Sequence, residues 1–400
     1  MILFFILFFI IIGSFAAYIT WRMLIRANLS RMSRVAIAMG IVAIVFLVPL
    51  NILLRRSGIE NKLIDTAAWT GYLGLGYLSF VFTFLVIRDL PWAAVALYKK
   101  IGRFFFGRQK VGRSNDSPEN PLRRAFLING MNHAILGGSV LFSAYGFYEA
   151  QRVPRVRKVE IRIGALPGDL EGFRIAQITD IHVSPTIGRP FVEGVVKTVN
   201  NLKADIIAMT GDLADGSVSQ LSRDVEPLVN LKSAVGKYFV TGNHEYYSGV
   251  IEWLKKVEKL GFTPLQNEHI IINRGNASIL LAGVTDYRGG DFLIDHRSDP
   301  AKAIAGAPYS DVKILLAHQP KSIFGAQAAG FDLQISGHTH GGQFFPWNFL
   351  INFAQPFVSG LHLYGDTQIY VSKGTGYWGP PFRVGPESEI TLISLSGTNA

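Results

Sequence analysis

The stretch "DLQISGHTH", residues 332–340, runs from an apolar segment directly into two histidines in a glycine-rich turn. Four other stretches share this design: "FRIAQITD" (173–180), "ADIIAMTGD" (204–212), "KYFVTGNHE" (237–245) and "KILLAHQP" (313–320). Segments with helical periodicity lie between them, at 190–203, 219–233 and 249–261. Short apolar runs that alternate with helices predict an α/β sheet with helices on its faces.

The polar residues after these runs predict a single site, because ligands of open α/β sheets bind beyond the carboxyl ends of the strands. The candidates are Asp180, His182, Asp212, Asn243, His244, Glu245, His318, His338 and His340. Nitrogen and oxygen ligands without sulfur suit Zn, Mn or Fe. The set is too rich in nitrogen for a dedicated Ca²⁺ or Mg²⁺ site. It is also too large for one tetrahedral ion, so we expect two adjacent divalent ions.

Each cluster alone has an ordinary structural explanation. A "GD" pair is usually a plain turn, and Asn243 would serve well as a helix N-cap. Five such clusters in one order, each at the end of an apolar run, argue against five separate explanations.

The motif series D-x-H, G-D-x-x, G-N-H-E, H and G-H-x-H resembles that of the calcineurin-like metallophosphoesterase superfamily, in particular its membrane-attached bacterial branch. The resemblance covers about 155–398 and includes the ending "VSKGTGYWGPPFRVGPESEITLISL". It implies a central β-sandwich of two mixed sheets flanked by helices. It also implies that Asp180, His182 and His340 bind one metal, that Asn243, His318 and His338 bind the other, and that Asp212 bridges both.

The resemblance implies a hydrolase that acts on a phosphoester, with a phosphodiester favoured, by attack of a hydroxide held between the two ions. His244 would lie beside the metals without ligating them and act as a general acid. Glu245 would either orient His244 or interact at the loop surface. Arg383 would either bind phosphate or form a surface ion pair.

Two other functions are open. A lipid-linked nucleotide-sugar pyrophosphohydrolase, of the kind that acts on UDP-diacylglucosamine, would use the same metals and would favour a cytoplasmic site. A binding or sensory module that has lost catalysis would be missing a ligand, and the motif series is complete.

The first 150 residues differ in composition from the rest. They hold the whole excess of ten basic residues, whereas residues 151–400 are balanced. They also contain four apolar stretches without Lys, Arg, Asp or Glu, at 2–19, 35–54, 67–87 and 125–148. A membrane-spanning helix needs roughly 20 apolar residues. We therefore predict a multi-pass anchor over 1–150 and a metallophosphoesterase domain over 151–400.

The loops of this anchor predict its orientation. The loop after the first stretch and the segment from Arg88 to Arg124 are the most basic, so we expect both to be cytoplasmic. With four spans, the domain after 148 would then lie outside the cytoplasm. Because the basic residues lie between apolar segments, we expect a bilayer rather than nucleic acid as a partner. The resemblance implies a phosphoester substrate, and the anchor favours a lipid-linked one. The absence of cysteine excludes thiolate metal sites.

Overall fold

A computed structural model describes residues 2–24, 29–59, 61–106 and 121–397. The chain forms two compact units, Met1–Tyr145 and Gly146–Ala400, and each is described by itself.

The first unit is helical. Its helices are α1 (Ile2–Leu24), α2 (Arg31–Arg56), α3 (Lys62–Phe106) and most of α4 (Pro121–Gln151). Helices α1, α2 and α3 contact one another through a small apolar core that includes Ile19, Val45 and Leu85. Many of their other large apolar side chains are exposed, as expected for helices whose surroundings are lipid.

Among the described residues, three helical segments are long and apolar enough to cross a membrane: Ile6–Leu24, Arg31–Arg55 and Lys62–Gly102. They include the first three predicted spans. The fourth, 125–148, is helical and lies within α4, but it is not one of these three segments. Asn129, Asn132 and His133 lower the apolar character of this helix. The number of membrane crossings therefore stays a prediction.

The second unit contains two six-stranded mixed sheets. The first has the strand order β1-β12-β2-β3-β4-β5 and the second β10-β11-β9-β8-β7-β6. The strands of the first sheet are β1 (Arg155–Ile163), β2 (Arg174–Ile178), β3 (Ile206–Met209), β4 (Gly236–Phe239), β5 (Thr263–Pro264) and β12 (Glu389–Gly397). Those of the second are β6 (Glu268–Arg274), β7 (Ala277–Gly283), β8 (Val312–Leu316), β9 (Leu333–Ser336), β10 (Gly360–Tyr364) and β11 (Thr367–Val371).

The two sheets pack face to face, with helices outside them. One buried cluster joins Ile175 and Ile206 of the first sheet to Ile279 and Ile314 of the second. Two more clusters lie under the outer helices, one on each sheet. The helices of this unit are α5 (Arg189–Asn201), α6 (Val218–Val225), α7 (Asn243–Ser248), α8 (Val250–Lys259), α9 (Pro300–Ile304), α10 (Ile323–Ala328) and α11 (Trp347–Leu350). The predicted sandwich of two mixed sheets flanked by helices is confirmed.

The helix predicted at 219–233 is shorter than expected. Helix α6 ends at Val225, and a 3₁₀ turn over Glu226–Asn230 follows it. Pro227 lacks a backbone N–H and disfavours helical geometry at the preceding residue, which explains the early end. Strands β2, β3 and β4 of the first sheet run parallel to one another, as do β8 and β9 of the second, so the carboxyl ends that precede the polar clusters lie together within each sheet.

Candidate metal centre

The predicted ligands follow the carboxyl ends of these five strands. Asp180 lies two residues after β2, Asp212 three after β3, His318 two after β8 and His338 two after β9. Asn243 begins α7, four residues after β4. The structure therefore brings six of the seven residues predicted to bind metal into two candidate metal-binding groups. The seventh, Asn243, precedes His244, whose backbone N–H donates to Oδ1 of Asp212.

The backbone of this site is strained. Five of the predicted ligands adopt a positive φ, between 51° and 73°: Asp180, His182, Asp212, His338 and His340. Residues other than glycine rarely occupy this region. Such conformations persist where the surrounding structure fixes them, and they concentrate at functional sites.

Two glycines allow the loops to approach each other. A Cβ atom on Gly337 would lie 2.2 Å from Oδ2 of Asp180, and one on Gly242 would lie 2.2 Å from Oδ1 of Asp212. Both distances are far below contact distance, so a larger residue at either position would displace a predicted ligand. The loops of the site can pack this closely because these two glycines have no side chain.

The first group of ligand atoms comes from Asp180, His182 and His340. Nε2 of His182 lies 3.0 Å from Nε2 of His340, and the latter lies 3.4 Å from Oδ1 of Asp180. Two nitrogens bound to one tetrahedral ion at about 2.0–2.1 Å would be roughly 3.3 Å apart. The observed spacing thus suits a shared cation.

The second group comes from Asp212, His318 and His338. Nε2 of His318 lies 3.1 Å from Oδ2 of Asp212 and 3.2 Å from Nδ1 of His338. The same Asp212 oxygen lies 3.6 Å from Nε2 of His182, so it borders both groups. Oδ1 of Asn243, the residue before His244, is buried and has no hydrogen-bond partner among the described residues. A buried acceptor of this kind is costly unless a cation or water satisfies it.

Hydrogen bonds outside the two groups orient the rings. Nδ1 of His182 lies 2.8 Å from Oδ1 of Asp215, and Nδ1 of His318 lies 2.8 Å from the carbonyl oxygen of Thr210. Because an ionised carboxylate and a carbonyl only accept, both Nδ1 atoms must donate. When the rings are neutral, their Nε2 lone pairs therefore point into the site, which is the arrangement that metal-binding histidines show.

His244 lies beside these groups. Its Nδ1 is 2.6 Å from Oδ1 of Asp215, while its Nε2 is 4.0 Å from Oδ2 of Asp212. Burial opposes a charge on this ring, but the carboxylates of Asp215 and Asp212 outweigh burial and raise the pKa of His244 to about 9. Asp215 thus orients two histidines with one carboxylate, and it holds the His244 ring so that Nε2 faces the site.

Neighbouring histidines favour the ionised form of Asp212. Burial opposes its ionisation, but His318 and His244 outweigh this effect and hold its pKa well below the usual range. Its Oδ1 also accepts from the backbone N–H of His244 at 2.9 Å. Asp212 is therefore charged and its Oδ2 is available to both ligand groups.

Glu245 is fully buried and does not lie at the loop surface. Its carboxylate accepts from the backbone N–H groups of Gly242, Asp212 and Leu213 at 2.6, 3.0 and 2.7 Å. No contact to the side chain of His244 appears among its described hydrogen bonds. Glu245 instead ties the loop after β3 to the start of α7.

Arg383 is also buried, with 1% of its surface exposed, and so it is not part of a surface ion pair. Its guanidinium donates to the carbonyl oxygens of His340 and Gly376, and one nitrogen lies 3.0 Å from Nδ1 of His340. Burial and Arg383 hold the pKa of His340 well below its usual range, so the ring is neutral. Because arginine only donates, Nδ1 of His340 is the acceptor in this contact.

Sequence reasoning missed Asp215 and Tyr247. Asp215 stands three residues after Asp212 in "GDLADG", so a second carboxylate in that motif was the available signal. Tyr247 and Trp378 contact His244 at ring-centre distances of 5.2 and 5.8 Å. Tyr247 lies one helical turn after Asn243, whereas only the fold brings Trp378 to this place.

Comparisons with known proteins agree with this geometry. Residues 173–342 match the calcineurin-like phosphoesterase family. A "transmembrane protein with metallophosphoesterase domain" of Danio rerio is 38% identical over 265 residues, which cover 64% of this chain and 61% of that protein. This chain thus spans about three fifths of the length of that vertebrate relative.

Bacterial relatives match over more of their length. An uncharacterised metallophosphoesterase of Helicobacter pylori is 38% identical over 68% of this chain and 71% of its own length. One from Aquifex aeolicus is 32% identical over 65% of this chain and 98% of its own length. Together with the five motifs and their convergence at one sheet edge, these matches show that the chain belongs to the calcineurin-like phosphoesterase family.

Proposed function

We propose that this protein is a membrane-anchored phosphoester hydrolase that uses two divalent metal ions. The observation that carries the proposal is the pair of adjacent ligand groups, with Oδ2 of Asp212 3.1 Å from Nε2 of His318 in one group and 3.6 Å from Nε2 of His182 in the other. Asp180, His182 and His340 would hold one ion, and Asn243, His318 and His338 the other. The unpartnered Oδ1 of Asn243 supports the second of these sites.

The donor set favours Mn, Fe or Zn, because it combines imidazole nitrogens with carboxylate and amide oxygens. When bound, two such ions lower the pKa of a water molecule and act as Lewis acids toward phosphoryl oxygens. The chain itself supplies the charge that holds them: Asp180 and Asp212 are the two carboxylates within the ligand groups.

His244 would act on the leaving group. Asp215 accepts a hydrogen bond from Nδ1 of this ring, so Nε2 is the atom that would face the substrate. Protonated at Nε2, His244 can stabilise the charge on a phosphoryl oxygen and give its proton to the departing alkoxide. Asp215 acts through His244 and is a positioning residue.

A phosphodiester is the favoured substrate, and we expect it to be linked to a lipid or to the cell envelope. The three apolar helices support this proposal, since they would confine the site to the neighbourhood of a bilayer. The catalytic domain would lie outside the cytoplasm if α4 forms a fourth crossing, as the basic loops predict.

Hydrolysis of soluble aryl phosphates by the purified full-length protein tests this function. We expect chelator-treated protein to be inactive, Mn²⁺ to restore activity, and bis(p-nitrophenyl) phosphate to be turned over faster than p-nitrophenyl phosphate. Activity that survives complete metal removal would refute the metal mechanism. A preference for the monoester would refute the proposed phosphodiester specificity.

A further inference from the structure

A short segment near the metal centre exposes consecutive apolar side chains. Phe292, Leu293 and Ile294 are 48%, 38% and 89% exposed, and Tyr287, five residues before Phe292, is 49% exposed. Exposed single apolar residues are ordinary, but three in a row in a loop are not. We call residues 287–294 the apolar loop.

The apolar loop reaches the candidate catalytic residue through one intervening ring, that of Tyr247. The ring of Phe292 lies 5.7 Å from that of Tyr247, and Tyr247 lies 5.2 Å from His244. Tyr247 is itself 43% exposed. An accessible apolar path therefore leads from the tip of the loop to the ring that faces the metal ligands.

Hydrogen bonds hold the apolar loop in this position. The backbone N–H groups of Phe292 and Leu293 both donate to the carbonyl oxygen of Gly289, at 3.0 Å. After the loop, His296 contacts the hydroxyl of Tyr246 through Nδ1 at 2.9 Å, and its carbonyl oxygen accepts from Thr285 at 2.8 Å. The exposure of Ile294 is therefore a property of an ordered loop.

We propose that the apolar loop enters the surface of a lipid bilayer, and that the metal centre takes its phosphoester from a lipid in that bilayer. Two observations select lipid over a protein partner. The chain has three helices apolar enough to anchor it in a membrane, so a bilayer is always close. In addition, the apolar path ends at a centre suited to phosphoryl oxygens, and only an amphiphile has both parts.

This inference rests on the proposed function for the identity of the substrate, but not for the insertion of the loop. Ile294 would sit among acyl chains, with Phe292 and Tyr247 nearer the interface, where aromatic side chains are favoured. The phosphoester of a lipid bound along this path would then lie next to His244.

Fluorescence tests the insertion without any assay of activity. The chain has no cysteine, so Ile294→Cys provides a single thiol for an NBD label in the full-length protein. Val235→Cys is the matched control. Val235 is 51% exposed and precedes the amino-terminal end of β4, whereas the metal centre follows the carboxyl ends of the strands. In proteoliposomes of phosphatidylglycerol and phosphatidylethanolamine, doxyl-labelled lipids should quench the label at 294 and leave the label at 235 bright. Equal quenching at both positions, or none at 294, overturns the proposal.

Comparing the hydrolysis of a soluble diester with that of a lipid diester distinguishes a failure of the loop proposal from a failure of the proposed function. The Leu293→Ser, Ile294→Ser double variant should hydrolyse bis(p-nitrophenyl) phosphate at the wild-type rate, because neither residue belongs to the metal centre. Its hydrolysis of a fluorescent phosphatidyl diester in vesicles should fall at least about tenfold. If wild-type protein is inactive on the aryl diester, the proposed function is wrong. The quenching experiment still tests whether the apolar loop enters the bilayer. If the double variant loses nothing on the lipid diester, the loop does not deliver substrate.

Discussion

Asp215 is the residue whose role depends most on the folded structure. In the sequence it is one of many acidic residues, but in the fold its carboxylate contacts His182 at 2.8 Å and His244 at 2.6 Å. One side chain thus orients a candidate metal ligand and the candidate general acid. Burial opposes its ionisation, yet His182 and His244 hold its pKa well below the usual range.

Asp215→Asn should lower kcat/KM for an aryl phosphodiester about 10- to 100-fold, because removing the partner of a metal-binding histidine typically has an effect of this size. The amide keeps the shape of the side chain but cannot accept equally well from both rings. Steady-state kinetics of the purified protein would measure the change. Asp366→Asn, in the exposed turn between β10 and β11, is the control. Wild-type kinetics in Asp215→Asn would contradict the positioning role.

The loops after the strands are the elements that build the centre. The sequence predicted the strands that precede these loops and the polar residues that follow the strands, because a strand buried on both faces appears as a continuous apolar run. The sequence did not predict that the side chains of Glu245 and Arg383 are buried. Both side chains are charged types that are rarely buried, and only the approach of separate loops supplies the partners they contact.

The close approach of the loop after β9 to the loop after β2 makes Gly337 a sensitive position. Gly337→Ala would place a Cβ atom 2.2 Å from Oδ2 of Asp180, so one of the two loops must shift. Such overpacking typically costs about 1–3 kcal/mol. We expect weaker Mn²⁺ binding by titration calorimetry and at least about tenfold lower turnover.

Gly164→Ala is the matched control for this substitution. A Cβ atom on Gly164 would meet no atom within 4 Å, and its backbone does not require a positive φ. This variant should bind Mn²⁺ like the wild type. If Gly337→Ala also binds normally, the steric account of the site is wrong.

At the scale of the whole molecule, apolar helices precede a domain with its own core. Length and hydropathy were enough to predict the first three helical segments. The fourth span was harder to predict. Helix α4 is continuous, but its polar residues reduce its apolar character. Whether α4 crosses the membrane determines which side of the membrane the metal centre occupies.

A reporter fused after residue 165 would establish that side. We expect alkaline phosphatase to be active at this position and a cytoplasmic reporter to be silent, because the basic loops predict that the domain lies outside the cytoplasm. The same reporters fused after residue 58, between α2 and α3, provide an internal comparison, since the same prediction places this loop outside. Cytoplasmic activity at 165 alone would show that α4 does not cross.

The metal content of the purified protein tests the central claim most directly. Elemental analysis of the full-length protein after growth with Mn, Fe and Zn should give close to two transition-metal ions per chain. Asp212→Asn should lower this content to one ion or fewer and abolish phosphodiester hydrolysis, since Oδ2 of Asp212 borders both ligand groups. Two tightly bound ions in Asp212→Asn, or none in an active wild-type protein, would contradict the account.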